Sequence, residues 1–170
     1  GACAANVPDG QAMWETTQAL WSAVQAGAHM VYHAAGWLEG GLVASPAKFV
    51  MDCEVIGQIE RYFDPALWAT DPGDVAVEAV AEVGPHGHFF GASHTQARYE
   101  TAFHQPFLSD WRNFEAWQLD GGIWTAERAD RMWREIVAGF APPPMEAATR
   151  EELAAFVARR KAEGGAPTDF

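Results

Sequence analysis

Two short segments concentrate the side chains that can do chemistry. The first, His33-Ala34-Ala35-Gly36-Trp37-Leu38-Glu39-Gly40-Gly41, sets a His, a Trp and a Glu among glycines, directly after the apolar run Met30-Val31-Tyr32. The second runs from Gly84 to Tyr99 and carries His86, His88, His94 and Arg98 together with Phe89 and Phe90. Glycine is costly inside a helix and leaves a strand unpacked. Both segments therefore read as glycine-shaped loops at the ends of short strands, 28–33 and 88–92. In βα units the loop at the carboxyl end of a strand is where ligands are held. The two loops are expected to converge, with Trp37 and His88 at the mouth of one cavity.

Several chemistries are open to these residues. Tyr32 and His33 alternate at a strand end, so one of the two faces the site and the other the helices. Trp37 offers an aromatic face or fills a packing gap. Glu39 offers a carboxylate, or caps a helix, or pairs with a surface Arg. Phe89 and Phe90 read as core residues or as cage walls. His86-x-His88-x5-His94 is a conceivable metal set, but no Cys or carboxylate stands at matching spacing. His88 and His94 are better read as donors to loop carbonyls or to a ligand, and no metal site is expected. Cys3 has no nearby His to activate it, so it is not read as a nucleophile.

The elements that must position these loops are mostly helical. A first helix is expected over 9–25, capped by Asp9 and burying Met13, Thr17, Leu20, Trp21 and Val24. Ser45-Pro46 opens a second, with Phe49, Cys53, Ile56 and Ile59 inward. Asp71-Pro72 opens a third, with Val77, Val80 and Ala81 inward, and Gly84-Pro85 stops it. Further helices are expected over 95–103, over 109–117 capped by Ser109, and over 125–140 capped by Thr125. The last has the cleanest stripe, Ala129, Met132, Trp133, Ile136, Val137 and Phe140. Asp110 with Arg112 reads as structural. Residues 1–141 form the (βα) part. Residues 142–170 hold a stiff Pro142-Pro143-Pro144 linker, a helix opening on a Thr149-x-x-Glu152 capping box and docking through Leu153, Phe156 and Val157, and a loose tail.

Composition narrows the function classes. The 170 residues are 49% hydrophobic, with eight Trp and ten Phe, which supports a folded core rather than disorder. A net charge of −12 disfavours nucleic acid and anionic membranes as partners. No run approaches the length of a membrane span. Two cysteines without Cys-x-x-Cys spacing fit a reducing compartment, and a cytoplasmic location is expected. The chain begins without Met and reads as a piece of something longer. Two parallel strands cannot close a sheet. Such a piece alone is expected to be marginal, rearranged or a homo-oligomer.

Longer strings now stand out: Asn6-Val7-Pro8-Asp9, Tyr32 through Leu42, Glu82-Val83-Gly84-Pro85 with His88-Phe89, and His94 through Tyr99. Leu108 through Asn113 and Ala158 through Lys161 extend them. On these the chain resembles the carboxy-terminal third of the trimethylamine–corrinoid methyltransferase family. The resemblance implies an α/β fold, the C-terminal portion of a TIM (β/α)8 barrel. It implies transfer of a methyl group from a methylated amine to the cobalt of a separate corrinoid protein. The corrinoid is presented by that partner, and no cofactor is bound directly. Some members carry pyrrolysine and use trimethylamine; many lack it and use quaternary amines such as glycine betaine. The pyrrolysine position falls at or just before 3–9, where no unusual residue stands, which favours the second group. His86 stands where the family pattern has a small residue.

A quaternary ammonium has no hydrogen to donate and is held by aromatic faces and a carboxylate. The resemblance thus makes Tyr32, His33, Trp37, Glu39, His88, Phe89, His94 and Arg98 the substrate-binding candidates. Arg98 or His94 would meet a carboxylate tail, and no catalytic acid or base is assigned. The other reading is a non-catalytic, oligomeric or protein-interaction fragment of that family.

Overall fold

The first helix, α1, spans Gly10–Gln25 in the computed structural model, which describes residues 1–65 and 75–164. The Asp9 side chain caps it by accepting the Ala12 N–H at 3.2 Å. Its buried face is Ala12, Thr16 and Leu20, with Met13, Thr17 and Trp21 half-buried beside it. The buried line thus lies one position earlier than the apolar pattern implies, because Thr16 is drawn in by a polar network described below.

The expected strand over 28–33 is absent. That stretch is irregular, and Met30 and Tyr32 are 70% and 78% exposed. The expected strand over 88–92 is also absent, replaced by a 3-10 turn at Phe89–Gly91. A strand exists only against a partner that takes its backbone hydrogen bonds, and no described strand lies beside either segment. The sheet that does form sits inside the expected loop. β1, Trp37–Leu38, pairs antiparallel with β2, Val43–Ala44, setting Trp37 opposite Ala44 and Leu38 opposite Val43. The architecture is helix-rich with this small two-stranded sheet, compatible with an α/β class.

α2 spans Pro46–Tyr62, with the Ser45 hydroxyl accepting the Lys48 N–H at 3.2 Å. Of its expected stripe only Ile59 is fully buried, and Phe49 is 52% exposed. Lys48, Val50, Met51, Asp52 and Glu54 are buried instead. An apolar-stripe argument misses this helix because half of what it buries is charged. Val50 and Met51 pack with Leu108 and Ala129 in the main core, flanked by Met13, Met132 and Trp133. Cys3, Ala5, Ala12 and Leu38 form a second cluster beneath β1. Trp21 packs on Tyr62 and Phe63 at 4.7 and 5.4 Å between ring centres.

α3 spans Val77–Val83; its expected start at 71–74 lies outside the described residues. Val77, Val80 and Ala81 are exposed and Ala79 is buried. The helix expected over 95–103 shrinks to α4, Ser93–Gln96, with turns after it. α5 is Phe114–Leu119, capped by Asn113 and not by Ser109, whose hydroxyl donates to Glu54 instead. α6 spans Thr125–Ala138, so Thr125 is its first helical residue rather than its cap, and the Trp124 N–H ahead of it donates to Glu127 at 3.1 Å.

The described residues divide into two units, Gly1–Ile136 and Val137–Phe170. In the second, α7 spans Ala147–Ala162. It starts two residues before Thr149, so the Thr-x-x-Glu box is not its cap. Leu153, Phe156 and Val157 are each 48% exposed, and Phe156 carries the Arg159 guanidinium 5.4 Å from its ring centre.

Candidate functional site

The segment around Trp37 is held from two sides. Gly36 donates its N–H to Asp52 Oδ2 at 2.8 Å, and its carbonyl accepts the Ser45 N–H at 2.8 Å. Gly36 sits at φ +85°, and a Cβ there would lie 3.2 Å from the Phe49 Cβ, so any other residue is strained and crowds Phe49. On the other flank the Cys3 thiol donates to the Trp37 carbonyl at 3.3 Å. Glu39 and Gly40 donate their N–H groups to the Ala5 and Cys3 carbonyls at 3.0 and 2.8 Å. Leu38 is buried by this frame, Trp37 is half-buried, and His33 and Glu39 are exposed. The His33 and Trp37 rings lie 5.3 Å apart at 60°. Glu39 Oε1 accepts one bond, from Asn6 Nδ2 at 3.4 Å.

Backbone strain marks the same places. Four non-glycine residues among those described have left-handed φ: His33, Glu39, Ala76 and His86. Three of the four lie in the two segments singled out from the sequence. Each such residue costs on the order of 1–3 kcal/mol and persists only where its surroundings over-determine it, a pattern concentrated at ligand sites.

Beneath the Trp37 segment lies a buried polar network. Lys48 Nζ is 2.5 Å from Asp52 Oδ2, 2.8 Å from Thr16 Oγ1 and 3.0 Å from the Gly1 carbonyl. Neither Lys48 nor Asp52 exposes any surface. Among the described residues Asp52 Oδ1 meets no hydrogen-bond donor. Burial pushes the Asp52 carboxyl up, against the opposing pull of Lys48 and the Gly36 N–H.

The second segment forms its own group. The His88 and Phe90 rings lie 5.5 Å apart, and Arg98 Nη1 donates to the His94 carbonyl at 3.2 Å. The Ser93 N–H and hydroxyl donate to Glu82 at 3.0 and 2.9 Å. His88, Phe89, His94 and Arg98 are exposed. Among the described residues no hydrogen bond or ring contact joins this group to the one at Trp37, and no three His, Cys, Asp or Glu converge on a metal position. The structure therefore packs His33 on Trp37, with Glu39 two residues further along the same segment and bonded to Asn6. It sets Tyr32 apart, exposed, and leaves His88, Phe89, His94 and Arg98 as a separate cluster.

Two features escaped the sequence reading. A cleft of about 660 Å³ is lined by Asp110, Arg112, Phe114, Trp117, Trp124 and Arg128 among others. Its carboxylate is committed: Asp110 accepts from Arg112 Nη2 at 2.7 Å and Nε at 2.9 Å, and these bonds hold it well below the usual carboxylate range. The aromatic spacing from Phe114 to Trp117 was the available signal. The second feature is Glu54, 4% exposed, which ties α2 to the stretch ahead of that cleft. It accepts the Phe107 and Leu108 N–H groups, the Ser109 hydroxyl and Gln58 Nε2, each at 3.1 Å.

Comparison with known proteins adds to this geometry. A family profile described as trimethylamine methyltransferase (MTTB) matches residues 1–165. The chain is 32% identical over 157 residues to the glycine betaine methyltransferase of Desulfitobacterium hafniense strain Y51, covering 92% of this chain and 32% of that protein. It is 29% identical over 160 residues to the trimethylamine methyltransferase MttB of Desulfitobacterium hafniense strain DSM 10664 / DCB-2, covering 94% of this chain and 32% of that protein. The chain spans about a third of the length of these curated relatives.

Proposed function

This chain belongs to the trimethylamine methyltransferase family, and from that premise we propose that it is the carboxy-terminal part of a corrinoid-dependent amine methyltransferase. In this reading a methylated amine, of the quaternary kind such as glycine betaine, rests against the Trp37 face with Glu39 balancing its charge. The methyl carbon passes to the cobalt of a partner corrinoid protein, which attacks as a nucleophile. The C–N bonding pair stays on nitrogen, and a neutral tertiary amine leaves. No proton moves, so no acid or base is required of the chain. Its work is to strip water from the cation and aim it.

One observation carries this reading. Two residues beyond Trp37, whose ring packs on His33, Glu39 holds an exposed carboxylate on a strained backbone, and its described bond is to a neutral amide, not to a cation. The 660 Å³ cleft has more aromatic surface, but its Asp110 is already neutralised by Arg112. A cation gains most from an anion that is not already paired. Glu39→Gln and Trp37→Ala in the intact protein should each abolish methylation of reduced corrinoid by glycine betaine. Near-normal turnover in both would remove this site.

The fold proposed for the intact protein is a (β/α)8 barrel in which 28–33 and 88–92 find strand partners. The exposure of Met30, Tyr32, Leu42 and Phe90 supports association with further polypeptide, in the same protein or a second copy. Among the described residues no helix is long and apolar enough to cross a membrane, and the cytoplasm is the proposed compartment. Sedimentation of the 170-residue chain tests the association: a stable, cooperative monomer contradicts it.

A further inference from the structure

We propose that Asp52, neutralised by Lys48, is a positioning residue that holds the Trp37–Glu39 segment in its binding geometry through the Gly36 N–H; this rests on the functional reading above. Gly36 has no side chain to anchor itself, and its left-handed φ is open to few other residues. Both of its main-chain bonds go to the α2 region: Ser45 N–H meets its carbonyl, and Asp52 takes its N–H. The acceptor is a side chain rather than a strand carbonyl because the two-residue β1 begins only at Trp37. Two residues in left-handed strain flank this point, His33 before it and Glu39 after it. Strain of that kind survives only where neighbouring bonds leave no relaxed alternative.

The ion pair is otherwise hard to account for. Removing two charges from water is expensive, and an apolar pair of similar volume packs as well or better. Lys48 is held to Asp52 and to Thr16 on α1, so the carboxylate is fixed relative to two helices. What a hydrophobic pair cannot supply is an acceptor beneath Gly36. The carboxylate supplies it, and the lysine makes a buried carboxylate tolerable.

The test separates acceptor from charge by using two neutral pairs in the intact protein. Lys48→Met with Asp52→Asn keeps an amide oxygen for Gly36; Lys48→Met with Asp52→Leu does not. The first should rescue the KM for glycine betaine to within about twofold of the unmodified protein. The second should raise it about tenfold, the scale of a buried donor left unmet. A purely structural role would lower the active fraction, and hence apparent kcat, in both while leaving KM alike. Equal KM values in the two pairs therefore overturn the proposal. Trp37→Ala is assayed alongside. If it turns over normally, the binding site itself fails and this inference goes with it; if it is dead while the two pairs agree, only the role of Asp52 fails. Should a pair not fold, amide exchange in the unmodified chain decides. Gly36 should be protected about a hundredfold over an unstructured peptide, and exchange at the unprotected rate refutes the bond.

Discussion

Glu54→Ala should be among the most damaging single substitutions in the first unit. The carboxylate is 4% exposed and accepts four hydrogen bonds at 3.1 Å, two of them from consecutive main-chain amides. Alanine leaves the Leu108 N–H buried without an acceptor, beside a core side chain packed on Val50 and Met51. The Phe107 N–H is only partly buried, so water recovers part of its loss. An unmet buried donor costs about 1–3 kcal/mol and a hydrogen bond to a charged group contributes about 1.5–3. The two figures overlap because both count the same lost acceptor, so the expected cost is about 2–4 kcal/mol, or about 5–15 °C in melting temperature for a unit of this size. Glu54→Gln keeps an oxygen for both amides and turns its NH2 toward Ser109 and Gln58, whose hydroxyl can reverse and whose amide can flip to accept it, so its loss should be about 1 kcal/mol.

The pH dependence follows with a definite sign. Burial alone would raise the Glu54 carboxyl, but the bonds from Gln58, Leu108, Ser109 and Phe107 outweigh it and hold it below its ordinary value of 4.5. The folded state thus favours the ionised form. Its stabilisation is complete above about pH 4.5 and is lost as pH falls through the lower folded value. Urea unfolding of the three proteins between pH 3 and 7 (~0.5 unit steps) measures both effects. Glu54→Gln should flatten the acid limb. Alanine and glutamine variants equally stable at pH 7, or an unchanged acid limb in the glutamine variant, would refute the clamp.

Other expectations follow from single positions. Gly36→Ala should cost about 2–4 kcal/mol in urea unfolding, combining left-handed strain with a 3.2 Å contact to Phe49. Glu39→Gly should do the reverse, raising stability by up to about 1 kcal/mol by relieving a φ of +52° while abolishing methyl transfer. Ser45→Ala should cost about 1 kcal/mol through loss of the α2 cap, with Ser45→Gly milder, both read by thermal unfolding.

Local chemistry was legible wherever a residue acts on its own neighbours. Asp9, Ser45 and Pro46 start their helices as their types dictate, because a cap needs only an amide two or three residues on. Thr149 and Ser109 show the limit. Ser109 has a capping side chain, but Glu54 from a distant helix claims it. The glycines around Trp37 marked a segment that is irregular and that holds His33 and Glu39 in left-handed strain. Lys48 and Asp52 carry an i,i+4 spacing that reads equally well as a surface pair; only packing puts both underneath the segment they support.

Sequence by itself determined where α1, α2 and α6 begin, which loop is glycine-shaped and which family the residues resemble, since each depends on bonds within a few residues or on the order of letters. Tertiary structure alone decided that 28–33 and 88–92 lack strand partners here, that charged side chains fill the inner side of α2, and that Asp52 reaches Gly36 across sixteen residues. Strand pairing and buried charge both depend on a partner remote along the chain, and no local pattern states where that partner lies.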